Sequence, residues 1–476
     1  MGKTLLTRAD SRRAGSVRSH SLARRNPGPR VRCRAKCPLV RPSPTPGGGV
    51  VGVEPLPGDD VSASEAGLIS THPDHRSPVR PQYGRPKAPL ARGVHVAGHF
   101  NTSLAPAAFG ARPAGERLAR IRRSPHFRDG AFQNPVPTRR GSPGAVGKLL
   151  RAQKAAAGLR RPAGAIPLVT ASALDFARAP LTGLRACWLG HATALVEMDG
   201  VRVLFDPVWS TRCSPSAAFG PARMHAVPVR FADLPDPDVV VVSHDHYDHL
   251  DMATIRALGR GDAAFVVPLG IGAHLERWGI AADRITELDW HEAGKVAGLT
   301  FTATPARHYC NRGARVLGTV LWASWVVAGP GHRVFHSGDS GYFPGFAQIG
   351  REHGPFDLTM IQAGAYAEAW PEVHLHPEGA VQAHADLGGG LMLPIHWGTF
   401  DLAPHAWEEP AERSVAAARA LGTDLVIPRP GALFEPALVD GAAVEPWWRD
   451  VAAEPSRWAG DVVAEPAASV TAVPAA

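Results

Sequence analysis

The octapeptide 244–251, HDHYDHLD, sets three histidines and three aspartates one residue behind the valine run 239–242. Imidazole nitrogens and carboxylate oxygens crowded at the mouth of an apolar strand point to metal binding. A solvated loop can carry such charges harmlessly, but seldom with this spacing. Continued as a strand, the chain puts His244 and His246 on one face, because side chains alternate with period two. Asp248 and His249 then turn to the other side as the chain enters a helix. Two such ligand sets about one pocket would hold two ions roughly 3.5–4 Å apart. Closed structural zinc sites use four ligands and lean on cysteine, and no cysteine stands in this cluster. Open ligation by nitrogen and oxygen, with a position left for water, is the catalytic arrangement.

The elements that must position this cluster surround it on both sides. Residues 187–209 give two strand-forming runs about Asp199-Gly200, the dipeptide that marks a tight hairpin. A buried strand is expected at 239–243, a helix at 252–259, a strand at 264–269 and a helix at 270–278. Further strands are expected at 285–290, 299–304, 320–327, 334–336, 358–363, 391–396 and 425–428. Helices are expected at 377–387, with proline at its first position, and at 408–421. Many strands with interspersed helices predict an α/β fold of two sheets sandwiched between helices.

The 476 residues suffice for two or three domains, and an apolar fraction of 45% supplies a sizeable core. The net charge of +8 is unevenly spread: residues 1–160 carry 29 of the 51 Lys and Arg but 8 of the 43 Asp and Glu, so the remainder is acidic. Residues 1–105, with RPSPTPGGG and no sustained period of 2 or 3.6, read as a disordered basic arm. A nucleic-acid or anionic-lipid arm, a targeting peptide and a segment upstream of the true start are the alternatives to an inert tail. Residues 106–175 read as an extension packed on the core, with aromatic anchors in 124–138 and a short basic helix in 146–159. The main domain is expected at 176–440, followed by a loose tail at 441–476. No run of eighteen apolar residues exists, so no transmembrane helix is expected, and the N-terminus lacks the apolar block of a secretory signal. Five cysteines, at 33, 37, 187, 213 and 310, are too few and too scattered for a disulfide framework and fit a reducing, cytoplasmic compartment.

HDHYDHLD resembles the HxHxDH signature of the metallo-β-lactamase fold hydrolases. The resemblance implies a four-layer αββα sandwich and three further ligands at strand ends, which the sequence offers as His308, Asp339 and His396. It implies that His244, His246 and His308 bind one metal, that Asp248, His249 and His396 bind the other, and that Asp339 bridges them. Two zinc ions are the expected cofactors, with manganese or iron as alternatives for this donor set. Water held between them would drop in pKa from 15.7 toward about 7 and furnish a hydroxide nucleophile at neutral pH.

Longer stretches over about 124–400 resemble the N-acylphosphatidylethanolamine-hydrolysing phospholipase D group: FRDGAFQNPVPT, WLGHATALVEMDG, FDPVWSTRCSP with FGPAR, SGDSGYF, IQAGAYAEAW, HLHPEGAVQAHADL and IHWGTF. That likeness implies a phosphodiesterase releasing phosphatidic acid and an N-acylethanolamine. Asp248 and His374 are then the catalytic candidates. His374 matches a histidine near the dimetal centre that serves the leaving group or phosphate, with His376 as its rival and a helix cap as the bland alternative. Val373 stands where that group carries glutamine.

Around this set, Asp206 is expected to orient a ligand histidine, His191 to pack behind a ligand or in the core, and Tyr366 to lie near substrate. His225, His291 and His336 read as structural, and Glu276 and Arg277 as a solvated helix face. Trp209, Phe219, Phe343, Phe346 and Trp370 face either a membrane surface or the core. The expected partner is a phospholipid or small phosphodiester; peripheral membrane contact and a homodimer stay open, and the acidic main domain speaks against nucleic acid. A lactonase or other small-molecule hydrolase of the same fold is the alternative reading. A nuclease guided by the basic arm, with salt-dependent binding, ranks behind it.

Overall fold

The computed structural model describes residues 106–313, 318–441 and 444–451. The arm expected at 1–105, with Cys33 and Cys37, lies outside the described residues. The described chain opens with α1 (Gly115–Arg123), a short hairpin of β1 (Phe127–Arg128) and β2 (Ala131–Phe132), and α2 (Ala145–Ala155). An antiparallel meander follows, of β3 (Leu184–Trp188), β4 (Ala194–Met198) and β5 (Val201–Phe205). Parallel crossovers extend it through β6 (Val239–Val241), α3 (Met252–Leu258), β7 (Ala264–Pro268), α4 (Gly272–Arg277) and β8 (Ile285–Leu288). The second half begins as a meander of β9 (Ala293–Val296), β10 (Leu299–Thr304), β11 (Ser324–Ala328) and β12 (Arg333–His336). It continues with α5 (Gly345–His353), β13 (Phe356–Gln362), α6 (Pro377–Leu387) and β14 (Gly389–Ile395). The last elements are α7 (Glu409–Leu421), β15 (Asp424–Leu425) and β16 (Leu433–Phe434).

Two mixed sheets of seven strands result, ordered β16-β3-β4-β5-β6-β7-β8 and β15-β14-β13-β12-β11-β10-β9. α6 packs on β13 and β14 and α4 on β8, giving the helix–sheet–sheet–helix layering of the expected αββα sandwich. Every residue of β3, β4 and β6 is buried, as befits strands covered on both faces. One apolar core runs through both sheets. Across it, Trp325 on β11 donates its indole N–H to the Val242 carbonyl just past β6, at 3.0 Å.

Local sequence explains most element ends. Asp199 (φ 51°) and Gly200 (φ 85°) form the two-residue turn between β4 and β5, the positive-φ pair a tight hairpin needs. Asp251 caps α3, its carboxylate accepting from the Ala253 N–H. The strand expected at 320–327 begins later, at Ser324, because Leu321 and Ala323 spend their N–H groups on the Leu269 and Ser243 carbonyls across the core. β9, β16 and α5 were not anticipated: the first two are short with little alternation, and α5 carries two glycines yet is held by buried Phe346 and Ile349.

One expectation is corrected. Ordered chain continues beyond residue 440: Trp447 and Trp448 are each 2% exposed, and Trp447 stacks at 5.8 Å on Trp397. Aromatic burial thus overrides an Ala- and Pro-rich composition. Glu276 and Arg277 are both exposed, as expected of a solvated helix face, and Arg117 of α1 binds Glu276 there through two hydrogen bonds (2.8 and 2.9 Å) while reaching Glu287 at 2.6 Å.

Candidate metal centre

Each residue of the candidate ligand sets, and Asp206 behind them, follows the C-terminal end of a strand. β3 leads to His191, β5 to Asp206, β6 to the octapeptide, β10 to His308, β12 to Asp339 and β14 to His396. Three of these residues hold left-handed backbone: His191 at φ 53°, Asp206 at 40° and His396 at 70°. Such strained non-glycine positions persist where surrounding structure over-determines them, and they cluster at functional sites. Gly190 shows how tight the His191 turn is: a Cβ there would lie 2.8 Å from the His225 ring and 3.0 Å from the Thr399 hydroxyl.

The octapeptide is not a continued strand, as period two had suggested. β6 stops at Val241, and the following residues coil, with Leu250 N–H returning to the His246 carbonyl and Arg312 gripping the Asp245 carbonyl. The loop still brings the expected groups together. His244 Nε2 lies 2.9 Å from His246 Nδ1, which lies 3.2 Å from His308 Nε2. On the other side His249 Nε2 lies 3.1 Å from His396 Nε2, and Asp248 Oδ2 lies 3.3 Å from His396 and 3.0 Å from His191 Nε2. Asp339 reaches both groups, 3.3 Å from His249, 3.1 Å from His396, 3.7 Å from His308 and 3.8 Å from His244. Two sets of four donors could each hold an ion: His244, His246, His308 and Asp339, and His191, Asp248, His249 and His396. His191, expected behind a ligand or in the core, therefore touches the second set directly.

Hydrogen bonds behind the imidazoles decide which nitrogen faces inward. Asp206 accepts the His249 Nδ1–H at 2.7 Å, and the Ser243 N–H and O–H at 2.7 Å each. Ser243 Oγ in turn accepts from His244 Nδ1 at 2.9 Å. Val373 O accepts from His308 Nδ1 at 2.8 Å. With their outer nitrogens donating, His244, His249 and His308 all aim lone pairs at one another and at carboxylate oxygens. Asp339 Oδ1 accordingly finds no hydrogen-bond donor, although His396 Nε2 is 3.1 Å away, and His396 Nδ1 and His191 Nδ1 are likewise buried and unpartnered. Facing lone pairs repel, so the donor set fits cations between them; nitrogen and oxygen donors without cysteine suit zinc, manganese or iron.

Burial would lower His249 and His396, but Asp339 and Asp248 more than reverse this, raising His249 well above its ordinary value and His396 above it. Burial alone would raise the Asp339 carboxyl, but His249 and His396 more than reverse this and hold it well below the usual range. Asp248 behaves alike, with His249 and His191 outweighing burial. Burial and neighbouring imidazoles keep His244 well below its ordinary value, and burial depresses His308 strongly too, which favours the neutral form that a metal ligand needs. Burial lowers His191 to about 3.

Other expected residues divide. His374 stands at the centre: its Nε2 is 3.3 Å from Asp339, its ring stacks on His308 at 5.2 Å, and its Nδ1 donates to the Ala365 carbonyl at 2.5 Å. His376 is turned away, its ring 4.6 Å from Tyr366. Tyr366 is not free for substrate, because its hydroxyl donates to Glu409 at 2.8 Å and accepts from Arg413 at 3.1 Å. Of the three motif aspartates, Asp245 instead faces His274 and Asp251 caps α3. His225 and His336 are buried on carbonyls and packing partners, while His291 sits in a turn at φ 69°. Trp209, Phe343 and Phe346 belong to the core, Phe219 is 73% exposed, and Trp370 is partly buried with its N–H on the Ala365 carbonyl. Sequence reasoning missed Ser243, which relays Asp206 to His244, although it adjoins the motif. It also missed Asn134, which lies 174 positions from the His308 it binds and gives no local signal.

The family profile described as Beta-lactamase superfamily domain matches residues 201–397. An uncharacterized protein of Mycobacterium tuberculosis is 48% identical over 354 residues, 72% of this chain and 92% of its own length. A Caenorhabditis elegans protein, N-acyl-phosphatidylethanolamine-hydrolyzing phospholipase D 1, is 40% identical over 233 residues, covering 46% of this chain and 65% of the relative. The mitochondrial N-acyl-phosphatidylethanolamine-hydrolyzing phospholipase D of Saccharomyces cerevisiae is 30% identical over 236 residues, 48% of this chain and 50% of that protein. Family match, fold and paired His/Asp sites converge: the chain belongs to the metallo-β-lactamase superfamily and is a metal-dependent hydrolase of that fold.

Proposed function

We propose that this hydrolase is a phosphodiesterase of the phospholipase D type, acting on N-acylphosphatidylethanolamine-like lipids with two metal ions. The observation that carries the reading is His374, an imidazole beside the ligand sets whose Nδ1 is anchored and whose Nε2 faces the centre. His244, His246 and His308 would hold one ion, Asp248, His249 and His396 the other, and Asp339 both, with His191 supporting Asp248. Ions bound there supply Lewis acidity and a water acidified from pKa 15.7 toward about 7. His374, anchored through Nδ1 with Nε2 facing the centre, is placed to protonate the departing alkoxide, a role worth roughly 10²–10⁴-fold in rate.

Two surface features support an anionic lipid substrate. Beside the centre lies a cleft of about 590 Å³ lined by Arg128, Gln133, Asn134, Val136, Thr138 and Arg140, among other residues, with no carboxylate in its wall. The Arg140 guanidinium sits 5.3 Å from the Tyr309 ring, which itself packs against His246 and His308. Further along, α2 buries none of its residues and exposes Val146 (73%) and Leu150 (61%) beside Arg151 and Lys154. Apolar residues one turn apart with flanking cations suit an anionic membrane surface. No described helix is long and apolar enough to cross a membrane. The three described cysteines are buried and unpaired, which fits a reducing compartment such as the cytoplasm.

A second reading, a lactonase or other small-molecule hydrolase, is favoured by the burial of Trp209, Phe343 and Phe346, which removes aromatics expected to meet lipid. Purified, metal-analysed protein assayed on N-acylphosphatidylethanolamine vesicles, bis-nitrophenyl phosphate and a lactone panel separates the two. Chelator-sensitive release of N-acylethanolamine is the expected result. Turnover of lactones alone would replace the phosphodiesterase reading with the second one.

A further inference from the structure

Residues 131–142 run from the core to the loop that carries His374, touching the ligand loop at 307–308 on the way. Phe132, 1% exposed, anchors one end and bonds through its N–H to the Gly318 carbonyl at 2.8 Å. Asn134 then clamps the peptide of His308 from both sides: its Oδ1 accepts the His308 N–H at 2.9 Å and its Nδ2 donates to the His308 carbonyl at 2.8 Å. Thr138 accepts from Arg307 at 3.0 Å, and Arg139 donates to Glu372 through its main chain (2.7 Å) and its guanidinium (2.9 Å). Glu372 also accepts from Arg307 at 2.7 Å. Ser142 closes the segment on the carbonyls of Ala369 and Glu368, at 2.9 and 2.8 Å. Pro135 and Pro137 stiffen it, and a residue before proline is held extended, which presets the backbone of Asn134.

We infer that this segment is a strap fixing the two loops that flank the metal centre, and that Asn134 is a positioning residue for the ligand His308. The inference rests on the metal-site assignment above and not on the substrate. Its logic is geometric. His308 follows β10 by four residues, so no ladder bond fixes its main chain. The Asn134 clamp satisfies both peptide groups of His308, while Val373 O, next to the Glu372 that the strap binds, sets its imidazole. Loss of the clamp frees the backbone of one ligand in the first set and touches no ligand of the second. The strap also lies outside residues 201–397, the span that the family profile matches.

The test is chelator competition on the full-length, metal-loaded protein, with metal per chain read by mass spectrometry, for wild type, Asn134→Ala and Asn134→Asp. Supporting outcomes for Asn134→Ala are one ion lost at roughly 10–100-fold lower chelator concentration, as expected for a partner behind a ligand, with the second ion retained as in wild type. Asn134→Asp keeps the acceptor for the His308 N–H and should fall between the two; it also serves if the alanine variant does not fold. Simultaneous loss of both ions in step with a lowered Tm would reduce the strap to general scaffolding, and wild-type retention of both ions would overturn the inference outright. A wild-type protein that binds two ions but cleaves no phosphodiester would sink the substrate reading and leave this one standing.

Discussion

Replacement of Asp206 by asparagine is the sharpest probe of how the centre is built. Asp206 holds φ 40°, a left-handed conformation that asparagine adopts readily, so the backbone tolerates the change. The amide oxygen can still accept the Ser243 N–H, now bonded at 2.7 Å. The amide nitrogen, however, replaces the oxygen that accepts both the Ser243 O–H and the His249 Nδ1–H. Donor then meets donor. His249 escapes by taking the other tautomer, which turns an N–H toward His396 at 3.1 Å and Asp339 at 3.3 Å and removes a ligand lone pair. The Ser243 hydroxyl must also turn, which loosens its bond to His244. Losing such a partner costs about 10–100-fold in metal affinity, or about 1.4–2.8 kcal/mol, and here the loss falls on both ions. Metal content under chelator competition reads the affinity, and circular dichroism checks that the fold survives. If Asp206→Asn keeps both ions at wild-type affinity, the tautomer argument for the whole centre is wrong.

Three more outcomes are expected. His374→Ala should leave metal content unchanged and lower kcat by roughly 10²–10⁴-fold; an unaltered rate returns His374 to a structural part. Val146→Asp with Leu150→Asp on α2 should cut binding to anionic vesicles at least tenfold, since each apolar side chain contributes about 1.5–3 kcal/mol when buried, and unchanged cosedimentation would dismiss the helix as a membrane contact. His384, buried on α6 with its Nδ1 bonded to Thr359 Oγ1 at 2.8 Å, is lowered by burial from 6.5 to about 4. Its depressed folded value means that its neutral form stabilises the fold fully above pH 6.5, and that this stability drains away as pH falls toward 4. The loss amounts to about 2–3 kcal/mol at pH 4.5, so urea unfolding at pH 7 and 4.5 should show a smaller difference for His384→Gln than for wild type.

The candidate metal ligands were legible because their chemistry is written locally. His244, His246, Asp248 and His249 lie in one octapeptide, and His308, Asp339 and His396 each follow an apolar strand run. The Asp199-Gly200 turn and the proline at the start of α6 were equally local. Beyond such signals, context ruled. The octapeptide coils because its peptide groups find partners in Arg312 and in its own turn, so an alternation argument reached the right neighbours by the wrong route. Composition misjudged residues 444–451, since no local pattern records that Trp397 has room for Trp447.

The candidate ligand set, strand-rich character and the uneven spread of charge were thus legible in residue types and short-range order. Tertiary structure alone decided which imidazole nitrogen points inward, that His376 and Tyr366 turn away while His191 joins Asp248, and that Asn134 reaches His308 across 174 positions. The physical reason is the range of the interactions. Propensity and periodicity act over a few residues, whereas a hydrogen bond that selects a tautomer or clamps a loop needs a partner brought within about 3 Å by the packing of the whole domain.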